Sequence, residues 1–300
     1  MSSTMLQLMQ QTSSELGLVA PTTVASNTSQ DVIQLLALMN SAGYELLKEY
    51  DWRALQKEYR FYTQAYQYTG YTVEGSYQIT GMSSTAGLND KFMLTGNGID
   101  QDTSIVSVDS AVQITINTKA TATGFATFTF GQTKYDLPPD YETITDRTQW
   151  DKTKHWEMLG PEDAQQWQWL KSGYISTGPR VRWRILGEYF QIWPIMNTQE
   201  YLGFEYRSKA WAESSTGVPK NSFTADTDTT ILDDRLMVMA TKLKYFQIKN
   251  FDTTALQQTY DRYLSVVKAN DKGAPNLSFA PYPSKVLIGY ANIPDTGYGS

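Results

Sequence analysis

The sequence of 300 residues has no cysteine and a single histidine, and these two scarcities remove much of enzyme chemistry at the outset. Without thiols there can be no disulfide, no cysteine nucleophile and no thiolate-bound zinc. His155 stands alone between Lys154 and Trp156. A Ser-His-Asp relay would need it in company, and a histidine metal site would need more than one, so a surface or interface histidine is the simpler reading. Clustered positive charge is also missing. The net charge is −6 and no run of Lys and Arg stands ready to neutralise phosphates, which disfavours tight nucleic-acid binding. An acidic surface would instead let a duplex slide past in transient, non-specific contact. No stretch approaches the roughly 18–20 apolar residues that span a bilayer. The opening MSSTMLQLMQQTSSELGL has neither the basic nor the apolar region of a signal peptide. Gly96-Asn97-Gly98 lacks the third glycine and the strand-turn-helix setting of a dinucleotide site, and reads as a β-turn. No cofactor or metal is expected.

Aromatic residues, by contrast, are plentiful at 13%, with 20 Tyr and 8 Trp. Each offers a large apolar face and, for these two types, a polar tip, which suits cores and interfaces equally.

Four segments carry helical periodicity. Ser2, Ser3 and Thr4 can cap a short helix bearing Met5, Leu8, Met9 and Leu16, which Gly17 can end. The clearest helix follows Ser29 and Asp31, with Val32, Leu35, Leu36, Met39, Gly43, Leu46, Leu47 and Tyr50 on one stripe. Glycine inside a helix costs about 1 kcal/mol against alanine, so Gly43 predicts close packing at that point. Leu232, Leu236, Met239, Ala240, Leu243 and Phe246 form another stripe, which Met237 and Val238 broaden beyond a single face. Leu256, Tyr260, Tyr263, Leu264 and Val267 mark the last. A shorter helix with Trp167 and Leu170 is expected after Pro161-Glu162-Asp163, the proline in its first turn.

Between the helices the pattern turns to period two. Glu58–Thr63 reads as a strand, Arg180–Ile185 and Tyr189–Trp193 as a hairpin around Leu186-Gly187-Glu188, and Tyr201–Trp211 as a further strand. From Tyr71 to Gln132 charge nearly vanishes, and five short β-prone runs separated by turn signals predict a small sandwich or barrel inserted into the host. Beyond Pro275, Pro281, Pro283 and Pro294 forbid a helix, yet Phe279, Tyr282, Val286, Leu287, Ile288 and Tyr290 are too apolar for a free linker and call for a docking site. The expected fold is α+β: an antiparallel α-helical bundle with β-hairpins over 1–70 and 133–273, an Ig-like sandwich or barrel over 71–132, and an extended arm over 274–300.

Two sets of charges could carry function. Asp226 and Asp228, with Asp233-Asp234 close behind, are the raw material for carboxylate catalysis or Ca²⁺ binding, but acids before a strong helix ordinarily cap it. Arg180, Arg182 and Arg184 share one face of a strand, either as a solvated face or as an intersubunit ion-pair surface.

The order of several motifs is informative. Ser14-Glu15-Leu16-Gly17-Leu18 with Pro21 comes first, and Glu49-Tyr50-Asp51-Trp52 closes the second helix. Tyr135-Asp136-Leu137-Pro138-Pro139-Asp140-Tyr141 and Thr148-Gln149-Trp150-Asp151 follow, then Leu159-Gly160-Pro161, Phe204–Lys209 before Trp211, and Phe223–Asp228. In this order they resemble the head-to-tail adaptor (tail accessory or tail tubular) proteins of short-tailed bacteriophages, over nearly all the chain outside the β insertion. The resemblance implies a non-enzymatic virion protein of the neck, assembled in the host bacterial cytoplasm. It implies a ring, commonly of twelve subunits, between the portal protein and the tail nozzle or tubular protein, around a channel for double-stranded DNA. It further implies that the arm bearing Phe279, Tyr282, Val286, Leu287, Ile288 and Tyr290 grips the portal, and that extra apolar helix faces such as Met237 and Val238 pack between subunits. The insertion would decorate the ring, meet a tail fibre or touch the host. Two other readings stay open: a virion-associated peptidoglycan-degrading protein using the acidic loop, and a receptor- or glycan-binding protein using the β insertion.

Overall fold

The computed structural model describes residues 3–172 and 180–272. Helix α1 (Met5–Glu15) opens on a reciprocal cap: the Thr4 hydroxyl accepts from Gln7 N while the Gln7 side chain accepts from Thr4 N. Helix α2 (Gln30–Glu49) buries Val32, Leu35, Met39, Gly43, Leu46 and Leu47 of the expected stripe and adds Leu38 and Ala42, while Leu36 is half-buried and Tyr50 is the half-buried C-cap. After a single 3₁₀ turn, β1 (Gln56–Tyr62) runs outward.

Six strands follow: β2 (Ala65–Thr72), β3 (Gln78–Thr80), β4 (Phe92–Thr95), β5 (Ile105–Ser110), β6 (Gln113–Ile116) and β7 (Gly124–Gln132). They pair antiparallel in the order β4-β7-β2-β3-β6-β5, and a bridge between Met93 and Ser104 joins the two ends of that order. The sheet therefore curls into a small barrel around Ile79, Phe92, Leu94, Ile114, Phe128 and Phe130. Its longest pairing, β2 with β7 from Ala65↔Gly131 to Thr72↔Gly124, starts earlier than the sequence suggests. Tyrosines alternate there with Gln and Thr, so neither face is apolar enough to announce a strand.

The remaining elements are β8 (Lys134–Asp136), β9 (Tyr141–Ile144), β10 (Trp150–Asp151), β11 (Trp156–Glu157), α3 (Ala164–Lys171), β12 (Arg182–Leu186), β13 (Tyr189–Trp193), β14 (Tyr201–Ser208), β15 (Ala212–Glu213), β16 (Pro219–Lys220), β17 (Thr229–Thr230), α4 (Asp234–Ile248) and α5 (Thr254–Lys272). Strand β14 organises the body, pairing with β1, β9 and β10. The β12-β13-β8 sheet packs across it through a column of rings, Trp183 on Phe190 at 5.4 Å and Phe190 on Phe204 at 4.9 Å. Helix α3 starts later than expected: Asp163 is its cap, accepting from Gln166 N, and Pro161 precedes the helix altogether.

The architecture is α+β, but the expected antiparallel helical bundle is not what organises it. Four antiparallel sheets comprising 17 strands dominate the described residues. The helices gather around α4, which touches α1, α2 and α5 and is buried along most of its length, Met237 and Val238 included. Helical periodicity shows that a face is covered but not by what. Here part of the cover is Trp211 and Phe223, supplied from segments between strands and loops. Strands of two residues, such as β10, β15 and β17, have no periodicity to detect.

The barrel leaves and rejoins the body side by side. Gln132 N donates to Gln64 O at 2.9 Å, and the buried Tyr135 hydroxyl accepts from Gln64 N at 3.3 Å while donating to Gln132 O at 2.9 Å. Beside this stalk, Met93 of the barrel packs on Trp167, Leu170 and Trp193 of the body, and ion pairs Lys91–Asp136 and Lys171–Asp102 flank the contact.

The close packing expected at Gly43 is present: a Cβ there would lie 2.5 Å from the indole of Trp211, which Phe223 holds edge-on at 4.8 Å. Gly43→Ala gains about 1 kcal/mol of helix propensity but overpacks a rigid ring, a penalty of about 1–3 kcal/mol. A net loss is expected, read as a lower urea midpoint at unchanged slope; a more stable variant would show that Trp211 is free to yield.

Candidate functional site

The motifs that stand out in the sequence meet in space, and they meet as joints. Asp140, from the Pro-Pro-Asp-Tyr run, accepts from Lys57 Nζ (2.7 Å) on β1 and from Ser208 (2.8 Å) and Tyr206 (2.8 Å) on β14. Tyr141 stacks on Tyr206 at 6.0 Å. Thr148 holds Glu205 N at 3.0 Å, and Trp150 lies opposite Gly203 across the β10–β14 pairing. The Glu49–Trp52 run closes α2 onto the same body: Trp52 Nε1 donates to Leu46 O at 2.6 Å, and Asp51 pairs with Arg207 of β14. Burial alone would push Asp140 up, but the hydrogen bonds from Lys57, Ser208 and Tyr206 outweigh it and hold the carboxyl below its ordinary value.

The acidic loop is a second joint. Asp226 Oδ1 accepts from Val24 N (3.0 Å) and Ala25 N (2.8 Å), tying down the segment between α1 and α2. Asp228 is 1% exposed and accepts from Thr224 N, Ala225 N and Lys220 Nζ at 2.7–2.9 Å. Burial opposes its charge, yet these donors keep its pKa lowered. The Asn40 side chain clamps Phe223 by both its N and its O. Of the four acids, Asp233 does cap α4, accepting from Leu236 N at 2.8 Å, and Asp234 accepts from Ser3 N. Asp226 and Asp228 do not cap that helix; they order the loop backbone ahead of it. His155 is exposed, at φ 59° in the turn between β10 and β11. Among the described residues no three His, Cys, Asp or Glu side chains converge as a metal site.

The three arginines separate. Arg182 forms a 2.5 Å ion pair with the buried Glu162, Arg184 is half-buried opposite Gln191, and Arg180 is exposed before β12. Lys134 lies opposite Gln191 on the other side, so Arg184, Gln191 and Lys134 form a row across the sheet. Met237 and Val238 are fully buried within the chain's own core. Phe279, Tyr282, Val286, Leu287, Ile288 and Tyr290 lie outside the described residues.

The exposed apolar surface includes places that helical periodicity did not flag. Phe125 is 75% exposed on the barrel, 4.9 Å from Tyr71, on a face otherwise made of Gln67, Thr69, Thr127 and Thr129. Ile248 and Phe251 stand out at the α4–α5 corner. The alternation of β7 could have located Phe125 on the outer face; nothing local marks the corner. Nor does any local signal reveal the Tyr135 hydroxyl as the pin of the barrel stalk.

A family model described as SU10 adaptor protein matches residues 100–294, about two thirds of the chain. No curated protein matches it. No described helix is long and apolar enough to cross a membrane.

The two joints make stability pH-dependent with a definite sign. Asp140 and Asp228 are held below the ordinary carboxyl range, so their contribution is full above that range and is lost as pH falls through their folded values. Asp140→Asn is expected to lower stability at neutral pH by about 1.5–3 kcal/mol, the worth of hydrogen bonds to a charged group, and to flatten the acid slope. Urea midpoints at neutral pH and near pH 3 test this; an equal loss at both would show that the charge of Asp140 is immaterial.

Proposed function

The chain belongs to the SU10 adaptor protein family, a phage adaptor family, and from that premise we propose that it is a head-to-tail adaptor subunit working in a ring between portal and tail nozzle. At the coarser level it is a structural component of the phage particle that meets other head and tail proteins. The observation that carries the finer reading is the extent of the family match. It runs to residue 294 and so takes in the apolar, proline-punctuated segment from Phe279 to Tyr290.

In this reading that segment is an arm whose Phe279, Tyr282, Val286, Leu287, Ile288 and Tyr290 grip the portal. An extended apolar segment adds contact area without a further folded domain, and it pays its ordering entropy only on binding. Arg180 and Arg184, with Lys134 in the row of Arg184, face acids of the neighbouring subunit, while Met237 and Val238, expected to pack between subunits, are taken up by the chain's own core. Twelve copies would enclose the duplex, and the net charge of −6 would keep DNA from adhering to the wall. Assembly would take place in the host bacterial cytoplasm.

A second reading rests on the barrel. Phe125 and Tyr71 on an uncharged Gln- and Thr-rich face could stack on a sugar ring or meet a receptor or tail fibre. The peptidoglycan-degrading alternative has no comparable support, since Asp226 and Asp228 are committed to backbone amides and Lys220.

Removing residues from Ala274 onward is expected to abolish binding to the portal of the same phage while leaving the fold intact. The full chain mixed with portal should give rings visible by electron microscopy; an undiminished complex with the shortened chain would overturn the arm assignment. For the second reading, a glycan array probed with the full chain should give signals that Phe125→Ala removes, and no signal would discard it.

A further inference from the structure

Beside the point where the chain passes from β1 into the barrel lies a pair of buried acids that no reading above uses. Asp151 ends β10 and Glu200 precedes β14, and each is 2% exposed. Asp151 Oδ1 accepts from Thr153 N and Lys154 N at 3.0 Å. Glu200 Oε1 receives Lys154 Nζ, with the Thr198 hydroxyl at 3.5 Å. The other oxygen of each carboxyl, Asp151 Oδ2 and Glu200 Oε2, is buried beyond the reach of any donor among the described residues. The two carboxyl groups meet at one residue, Lys154, which gives its backbone N to Asp151 and its Nζ to Glu200. Two carboxylates and one ammonium leave an uncompensated negative charge in a buried site, which is costly. A proton held on one of the acids removes that charge and turns an orphaned oxygen into a donor.

We propose that Glu200 keeps its proton and donates it to Asp151, and that this shared proton is a pH-sensitive latch on the root of the barrel. The connection is the backbone of Glu200 itself. Its N donates to the Thr63 hydroxyl at 2.7 Å and its carbonyl accepts from Thr63 N at 2.8 Å. Thr63 is fully buried and is followed by Gln64, the residue that the Tyr135 hydroxyl pins to the returning strand. Loss of the proton sets two like charges against each other and loosens the 198–201 segment that clamps the incoming strand. The charged groups facing Glu200 are Asp151 from β10 and Lys154 from the turn after it; the Thr198 hydroxyl also meets its carboxyl, and the link between β1 and β2 contributes the Thr63 hydroxyl to its backbone N. Burial first, and the Asp151 carboxylate with it, pushes Glu200 upward against the pull of Lys154. The proposal does not depend on the adaptor reading.

The linkage sign is opposite to that of Asp140. A carboxyl raised in the folded state stabilises fully below its ordinary value, and that contribution declines as pH rises through the folded value. Urea unfolding of the wild type, Glu200→Gln and Asp151→Asn from about pH 4.5 to pH 8.5 tests it. The folding equilibrium constant of the wild type should fall relative to Glu200→Gln by up to about tenfold per pH unit within the titration window. Hydrogen exchange at Thr63 and Gln64, corrected for intrinsic rate, should lose protection in parallel. Asp151→Asn should flatten the slope by removing the like charge while leaving Glu200 buried beside Lys154, which guards against a misfolded glutamine variant. A pH-independent ratio between the wild type and both variants would overturn the latch. So would calcium raising the stability of the wild type but not of Glu200→Gln, since a metal ion would then be satisfying the oxygens.

Discussion

A barrel inserted into another domain hangs on two backbone crossings, and the polar groups there must be satisfied without the help of a wide sheet. In this chain the crossings are Thr63-Gln64 and Gln132-Thr133, and one phenol serves both, accepting from the first and donating to the second. The backbone bond from Gln132 to Gln64 and the Glu200–Thr63 clamp complete the set. The attitude of the barrel to the body follows from these few bonds, together with the Met93 contact on Trp167 and Trp193. Its own core is separate, so its interior could change while the stalk kept its geometry.

The body obeys a related logic. Buried or half-buried carboxylates each gather several donors, for Asp140 and Asp226 from segments far away in sequence and for Asp228 from its own loop. Asp140 draws on β1 and β14, Asp226 on the segment before α2, and Asp228 on Lys220 and the loop. An isolated buried charge is prohibitive, so each joint is all or none: the segments arrive together or the acid stays solvated. Short strands such as β10 and β15 gain their definition from these joints more than from their own pairing.

Long regular elements were legible in the sequence. The α2 stripe, the β12–β13 hairpin with its Gly187 turn and the strands of the barrel lie close to where periodicity puts them, because one period persists long enough to be read. The glycine at 43 even announced its neighbour's proximity, though not that the neighbour would be Trp211. What could not be read was partnership. Period alone could not say that α4 is sheathed by α1, α2 and α5 inside one chain, so a broad apolar stripe suggested a bundle and a surface for other subunits. The acids before α4 illustrate the same limit. Asp233 caps the helix as its position suggests, whereas Asp226 and Asp228 serve backbone amides whose arrival no local pattern foretells.

The bridge between Met93 and Ser104 has a bearing on how many copies can be crowded together. A sheet with open margins offers ladders of free amides and carbonyls to any like sheet nearby, and at the local concentrations of an assembling particle such margins invite indiscriminate β-pairing. By curling the first and last strands toward each other the barrel withdraws much of that offer. What remains for neighbours to recognise is side-chain chemistry, which can discriminate between partners where bare backbone cannot.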